Sequence, residues 1–258
     1  MLPSTYIHQQ MRSLFPLTVL TVLWSCGTGN DTAKDGNANA DDDLDTSAVY
    51  TDWPGYYDGT LPCADCEGIS TQLWVRSDST FILRQRYLGK DSLAFGAMGR
   101  WQVVNGTMTI GYTGDKPDFW RVVKSGIEMV DEMGTPFEGK LNHTLEKLSD
   151  EIYDEVPRMR ILGTFTYMAD AKSFRPCGSQ FTWPCAGGLD LGAEEGEVIG
   201  SMNGAELERA YLKAVGQGGK PWTIEAECSL DQGPAMEGDG MEEYLLIHRV
   251  LGPIGECP

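Results

Sequence analysis

Cysteine offers more chemistry than any other residue type in this chain, and its spacing divides the seven cysteines into three groups. Cys63 and Cys66 form a Cys-Ala-Asp-Cys pair, Cys177, Cys185, Cys228 and Cys257 lie in the second half, and Cys26 stands apart near the start. The close pair supports four chemistries. A dithiol redox centre places its first sulfur at a helix N-terminus, whose dipole lowers the thiol pKa. Here Gly68 and the alternating stretch Gln72–Val75 follow, and Asp65 adds negative charge that raises a thiol pKa. Structural zinc takes four ligands, and the chain has no second Cys-x-x-Cys and three histidines, His8, His143 and His248. Two thiolates suit Cu(I). Met129 and Met133 are candidate helpers, although methionine at such spacing more often fills a core. The fourth chemistry is a short, reducible disulfide, or a thiol pair reporting redox state, that fixes the turn into the first strands. That reading is adopted for Cys63 and Cys66, with Cu(I) binding as its alternative.

Catalysis finds little support elsewhere. Asp131-Glu132 and Glu194-Glu195 are adjacent acids, and adjacent strand residues face opposite sides, so both read as solvated surface. His143 and His248 lack a neighbouring Ser or Cys at a catalytic spacing, and His248, inside YLLIHRV, reads as structural. Gly187-Gly188 and Gly216 to Gly219 lack the strand-to-helix setting of a phosphate loop. The acidic MEGDGMEE stretch, Met236 to Glu243, reads as a solvated loop. The expectation is a protein that is not an enzyme, with no catalytic residues and no cofactor beyond the Cu(I) alternative.

The lone cysteine has a different role. Leu14 to Trp24 is an uncharged run, LFPLTVLTVLW, shorter than the about 20 apolar residues of a membrane span. It fits the apolar centre of a signal peptide over residues 1–25, with Met11 as an alternative start to Met1. Leu23-Trp24-Ser25-Cys26 resembles a lipobox, which makes Cys26 the lipid-carrying residue and the membrane a partner through that lipid. Removing Cys26 leaves six cysteines, an even number suited to disulfides in an exported protein. Four of them, in the second half, permit three pairings. Residues 26–50 are polar and Asp-rich and read as a flexible acidic tether. Gly27, in place of an Asp, points to the outer membrane, periplasm-facing rather than surface-exposed. The formal net charge of −18 is repelled by phosphate backbones, which excludes nucleic acid as a partner.

The elements that must position these residues are mainly strands. Over residues 51–150, apolar residues alternate at Leu73 and Val75, Phe81 and Leu83, Trp101 and Val103, Met108 and Ile110, Trp120 and Val122, and Ile127 and Met129. Turn signals such as Asn105-Gly106 separate them. Period-two patterning with close turns predicts an antiparallel barrel, whose closure leaves no exposed edge. Residues 151–160 read as a linker. In residues 161–258, strands are expected at Leu162 to Met168, Trp222 to Cys228 and Tyr244 to Val250, with a helix over Ala205 to Val215 ending at Gly216. One helix among strands suits a small OB barrel.

The run Trp53-Pro54-Gly55-Tyr56-Tyr57-Asp58-Gly59-Thr60-Leu61-Pro62-Cys63-Ala64-Asp65-Cys66, continued by Tyr87 and Gly99-x-Trp101, resembles the N-terminal domain of the NlpE family of envelope lipoproteins. Gly163-Thr164-Phe165-Thr166-Tyr167, Phe174 and Cys177-Gly178-Ser179 are similar to that family's second domain. The resemblance implies a lipocalin-like barrel followed by an OB-like domain, copper resistance, and signalling of surface or envelope stress to an envelope sensor protein. It also suggests a Cys177–Cys257 bridge pinning the tail, which leaves Cys185 and Cys228 to pair. A metal-handling module using Cys63 and Cys66, and a barrel carrying a hydrophobic ligand, are the alternative functions.

Overall fold

The structure is a computed structural model that describes residues 53–111, 117–149, 156–191, 201–235 and 238–258. The signal segment, Cys26, the tether, His8, Glu194-Glu195 and Met236-Glu237 lie outside the described residues.

Eight strands form the first barrel: β1 (Gly55–Leu61), β2 (Ile69–Val75), β3 (Thr80–Tyr87), β4 (Ala94–Val104), β5 (Thr107–Ile110), β6 (Asp118–Val123), β7 (Gly126–Val130) and β8 (Thr144–Ser149). Each pairs antiparallel with the next, and β8 pairs back onto β1. The order is the up-and-down meander of a lipocalin-like barrel. Asn105 (φ 52°) and Gly106 (φ 75°) make the two-residue turn between β4 and β5, since a type I′ turn needs positive φ at both positions. Trp53, Tyr57, Leu73, Phe81, Met108 and Trp120 fill the interior, each exposed by 1% or less. A barrel of this strand number has room for side chains or for a small ligand; here side chains fill its core.

The second barrel comprises β9 (Val156–Met168), β10 (Ala171–Pro176), β11 (Trp183–Gly187), β12 (Trp222–Pro234) and β13 (Met241–Pro253), with α1 (Gly204–Val215) between β11 and β12. The pairings run β9–β10–β11–β13–β12 and back to β9, with β11 and β13 parallel and the rest antiparallel. This is the five-stranded OB arrangement, with the helix between the third and fourth strands. Asn203 and Glu206 cap α1 reciprocally, and Gly216 (φ 82°) closes it in the left-handed conformation. Leu207 and Tyr211 face the core, and Tyr211 meets Phe165 edge-on at 5.3 Å.

Of the expected linker, residues 151–155 lie outside the described residues and the remainder needs correction. Val156 to Arg160 is the first part of β9, where Val156 and Met159 are fully buried. Its charges are ion-paired with β12: Arg158 with Glu227 at 3.3 Å and Arg160 with Glu225 at 3.6 Å.

The two barrels join through the outer face of β1 to β4. Tyr56, Trp74, Ile82, Ala94 and Met98 point away from the first barrel's interior and share one buried cluster with Val156, Met159 and Ile161 of the second. β4 and β9 pair in parallel, Ala94 with Met159 and Phe95 with Arg160. Arg76 donates to both carboxylate oxygens of Glu243, which also accepts from Trp183 Nε1 at 2.9 Å. Arg100 stacks on Phe181 at 4.2 Å. The contact resembles a domain core cut in two, as obligate interfaces do.

Candidate functional site

The loop between β1 and β2 carries the first cysteine pair. Cys63 and Cys66 are bonded to each other, with their Cα atoms 5.4 Å apart. Both are half-buried, while Ala64 and Asp65 between them are exposed. Gly68 (φ 150°) turns the chain into β2, and a Cβ there would lie 2.5 Å from Thr60 Cγ2. The Gly68 carbonyl accepts from Leu88 N at 2.9 Å, which ties this loop to the β3–β4 loop. Lys90 in that second loop donates to Asp65 and holds its carboxyl below the ordinary carboxylate range. The negative charge next to the pair therefore has a cationic partner, which the local sequence does not show.

A strand, β2 at Ile69, follows the pair. The helix dipole that would activate Cys63 as a redox nucleophile is missing from this position. Among the described residues no group of three or more His, Cys, Asp or Glu side chains is placed to hold a metal ion. A soft metal at the reduced pair would thus rest on two sulfurs, a donor set that suits Cu(I) and not structural zinc. Met129 packs against the barrel core, and Met133 is 83% exposed on the β7–β8 loop instead of filling a core.

The second bridge joins Cys177, just after β10, to Cys257, with Cα atoms 5.4 Å apart across 80 residues of sequence. Its two ends differ in access. Cys177 is 6% exposed and donates its N–H to Leu162 O at 2.8 Å, whereas Cys257 and its neighbours Glu256 and Pro258 are exposed.

Cys185 and Cys228 do not form the expected bridge; both are free thiols buried in the second barrel. Strand order explains this. Cys185 on β11 pairs with Leu245 of β13, and Cys228 on β12 pairs with Ile247 of β13, so β13 runs between them. Two strand spacings amount to roughly 9–10 Å, beyond the about 7 Å between Cα atoms that a disulfide spans. Burial pushes both thiols upward, Cys228 well above the ordinary range, so they are protonated and inert.

His248 is structural in a specific way. Its Nδ1 lies 2.9 Å from Ser201 Oγ and its Nε2 2.8 Å from Ser229 Oγ. Arg158 donates to Ser201 Oγ at 2.8 Å, which leaves the Ser201 hydrogen for Nδ1 and places the imidazole proton on Nε2. Burial, with the Arg158 charge assisting, pushes the His248 pKa down to about 4. Gly188 makes room for the ring, since a Cβ there would lie 2.1 Å from Nδ1. No spacing in the sequence announces this network, because its members come from β9, β12, β13 and the approach to α1. The half-buried His143 lies against the Phe137 ring, with ring centres 5.0 Å apart.

Comparison with known proteins covers both barrels. The NlpE N-terminal domain family matches residues 57–140, and the NlpE C-terminal OB domain family matches residues 155–254. Lipoprotein NlpE of Escherichia coli (strain K12) is 31% identical over 185 residues, covering 70% of this chain and 71% of that protein. A crystal structure described as the Cpx pathway activator NlpE from Escherichia coli is 29% identical, covering 75% of this chain and 92% of that one, with a TM-score of 0.31. A putative lipoprotein from Shewanella oneidensis is 37% identical, covering 40% of this chain and 94% of that one, with a TM-score of 0.35.

Proposed function

Because the chain belongs to the NlpE family, matched through both of its domains, we propose that it is a lipid-anchored envelope protein that reports surface or envelope stress by protein contact and catalyses no reaction. The E. coli relative is described as a Cpx pathway activator, and an envelope sensor protein is the corresponding partner here. The observation that carries the reading is the pairing of the two family domains with a tail bridge, Cys177–Cys257, that holds the second one closed. In a poorly oxidised envelope that bridge is not made, the second barrel loosens, and the change is available to a partner. Among the described residues no helix is long and apolar enough to cross a membrane; the anchor in this reading is a lipid on Cys26, in the outer membrane and facing the periplasm. Deleting the gene and overproducing the protein, each with an envelope-stress reporter, tests the proposal. Overproduction is expected to raise the reporter, and an unchanged reporter in both strains overturns it.

A second reading, Cu(I) handling by Cys63 and Cys66, is favoured by one observation: the two sulfurs sit on an accessible loop and are already adjacent. Reduction leaves two neighbouring thiols beside Lys90, a soft two-donor site. Anaerobic titration of the reduced protein with Cu(I) decides it. Tight uptake lost in Cys63→Ser supports the reading, and uptake indifferent to that change ends it.

A further inference from the structure

The core of the first barrel is filled, but a cavity of about 360 Å³ opens on the inward face of β3 and β4, where β4 meets β9. Leu83, Tyr87, Phe95 and Ala97 of the first barrel and Ile161 and Leu162 of the second supply its apolar walls. Tyr87 and Phe95 meet edge-on at 6.0 Å, and Phe95 is 39% exposed. Arg160 and its ion-pair partner Glu225 also line the cavity. The Arg160 guanidinium lies over Phe95, 3.8 Å from the ring centre. Its Nε is buried without a hydrogen-bond partner, and the nearest carboxylate oxygen, on Glu225, is 3.6 Å away, too far for a hydrogen bond.

We propose that this interdomain cavity binds a single-chain amphiphile with a carboxylate head, its chain along the apolar walls and its head on Arg160. An apolar cleft of this size with one or two placed polar groups is the usual form of a small-ligand site. At roughly 30 Å³ for each small group, 360 Å³ accommodates a chain of about twelve carbons. Guanidinium is suited to a carboxylate because its planar donors match the two oxygens, and its contact with Phe95 positions it in advance. The walls come from both barrels, so an occupant bridges them.

The test is calorimetric titration of the full chain carrying Cys26→Ser with dodecanoate below its micellar range, dodecanol being the neutral comparison. Saturable one-to-one binding of dodecanoate is expected. Arg160→Gln is expected to weaken dodecanoate at least tenfold and to leave dodecanol within twofold. Leu162→Trp, which fills the cavity, is expected to abolish both. Phe95→Ala, which removes the half-exposed ring from the wall, is expected to weaken both. No saturable binding to the unsubstituted cavity overturns the proposal, and so does binding that Arg160→Gln and Phe95→Ala leave unchanged.

Discussion

Replacing Cys257 with Ser removes the tail bridge without disturbing a buried side chain, because Cys257 is exposed. The bridge spans 80 residues. In the loop-entropy treatment, a closed loop of this length restricts the unfolded chain by about 15 cal/mol/K, or about 4.5 kcal/mol at 25 °C. The barrels share one buried cluster and a parallel strand pair, so they are expected to unfold together. At 2–4 °C for each kcal/mol in a unit of this size, Tm falls by roughly 9–18 °C. Differential scanning calorimetry of the oxidised protein and of Cys257→Ser measures the shift directly. Cys63→Ser serves as a control, because its bridge spans 3 residues and its loss shifts Tm by far less. A Cys257→Ser shift under about 3 °C would refute the claim that the bridge holds the second barrel closed. Two separate transitions in the unmutated protein would refute the shared core.

Three further outcomes follow from the same geometry. His248 is held down to about 4 in the folded protein and titrates near 6.5 when unfolded. The stability this contributes is present above pH 6.5 and is lost as pH falls through 4, about 3 kcal/mol in all; urea titrations at pH 7 and pH 4 should show a larger loss in the unmutated protein than in His248→Gln. Glu243→Ala leaves Arg76 and Trp183 Nε1 without their shared acceptor and is expected to cost about 3 kcal/mol, read as a lowered urea midpoint; a midpoint within error of the unmutated protein contradicts the interdomain clamp. Glutathione exchange under mild conditions should place the mixed disulfide on exposed Cys257 and not on Cys177, which is 6% exposed; peptide mapping that finds glutathione mainly on Cys177 contradicts the assigned access.

Much of the architecture is legible because alternation survives where one strand face meets the core and the other meets water. Leu73 and Val75, Phe81 and Leu83, and the Asn105-Gly106 turn all mark β2 to β5 correctly. The helix is equally plain, since its capping box and terminal Gly216 are local signals. The domain contact is less visible. Its mark is the uninterrupted runs Leu73-Trp74-Val75 and Phe81-Ile82-Leu83, where the middle residue is buried too. Strands buried on both faces read as continuous apolar runs, which a period-two pattern does not reveal. The strand at Val156 to Arg160 is hidden because the partners of its arginines, Glu225 and Glu227, lie more than sixty positions away. The free thiols are hidden for a similar reason: removing Cys177 and Cys257 leaves two cysteines to pair, whereas the path of β13 between Cys185 and Cys228 is set by the crossover that makes β11 and β13 parallel.

The most direct test of the central claim is an envelope-stress reporter in a strain lacking this gene, complemented at equal protein levels with the unmutated chain, Cys257→Ser or Cys26→Ala. The account predicts a basal signal with the unmutated chain, a raised signal with Cys257→Ser, and a signal altered by Cys26→Ala because the anchor positions the protein. Equal signals from all three, with growth in copper restored only by chains that keep Cys63 and Cys66, would contradict it and leave metal handling as the function.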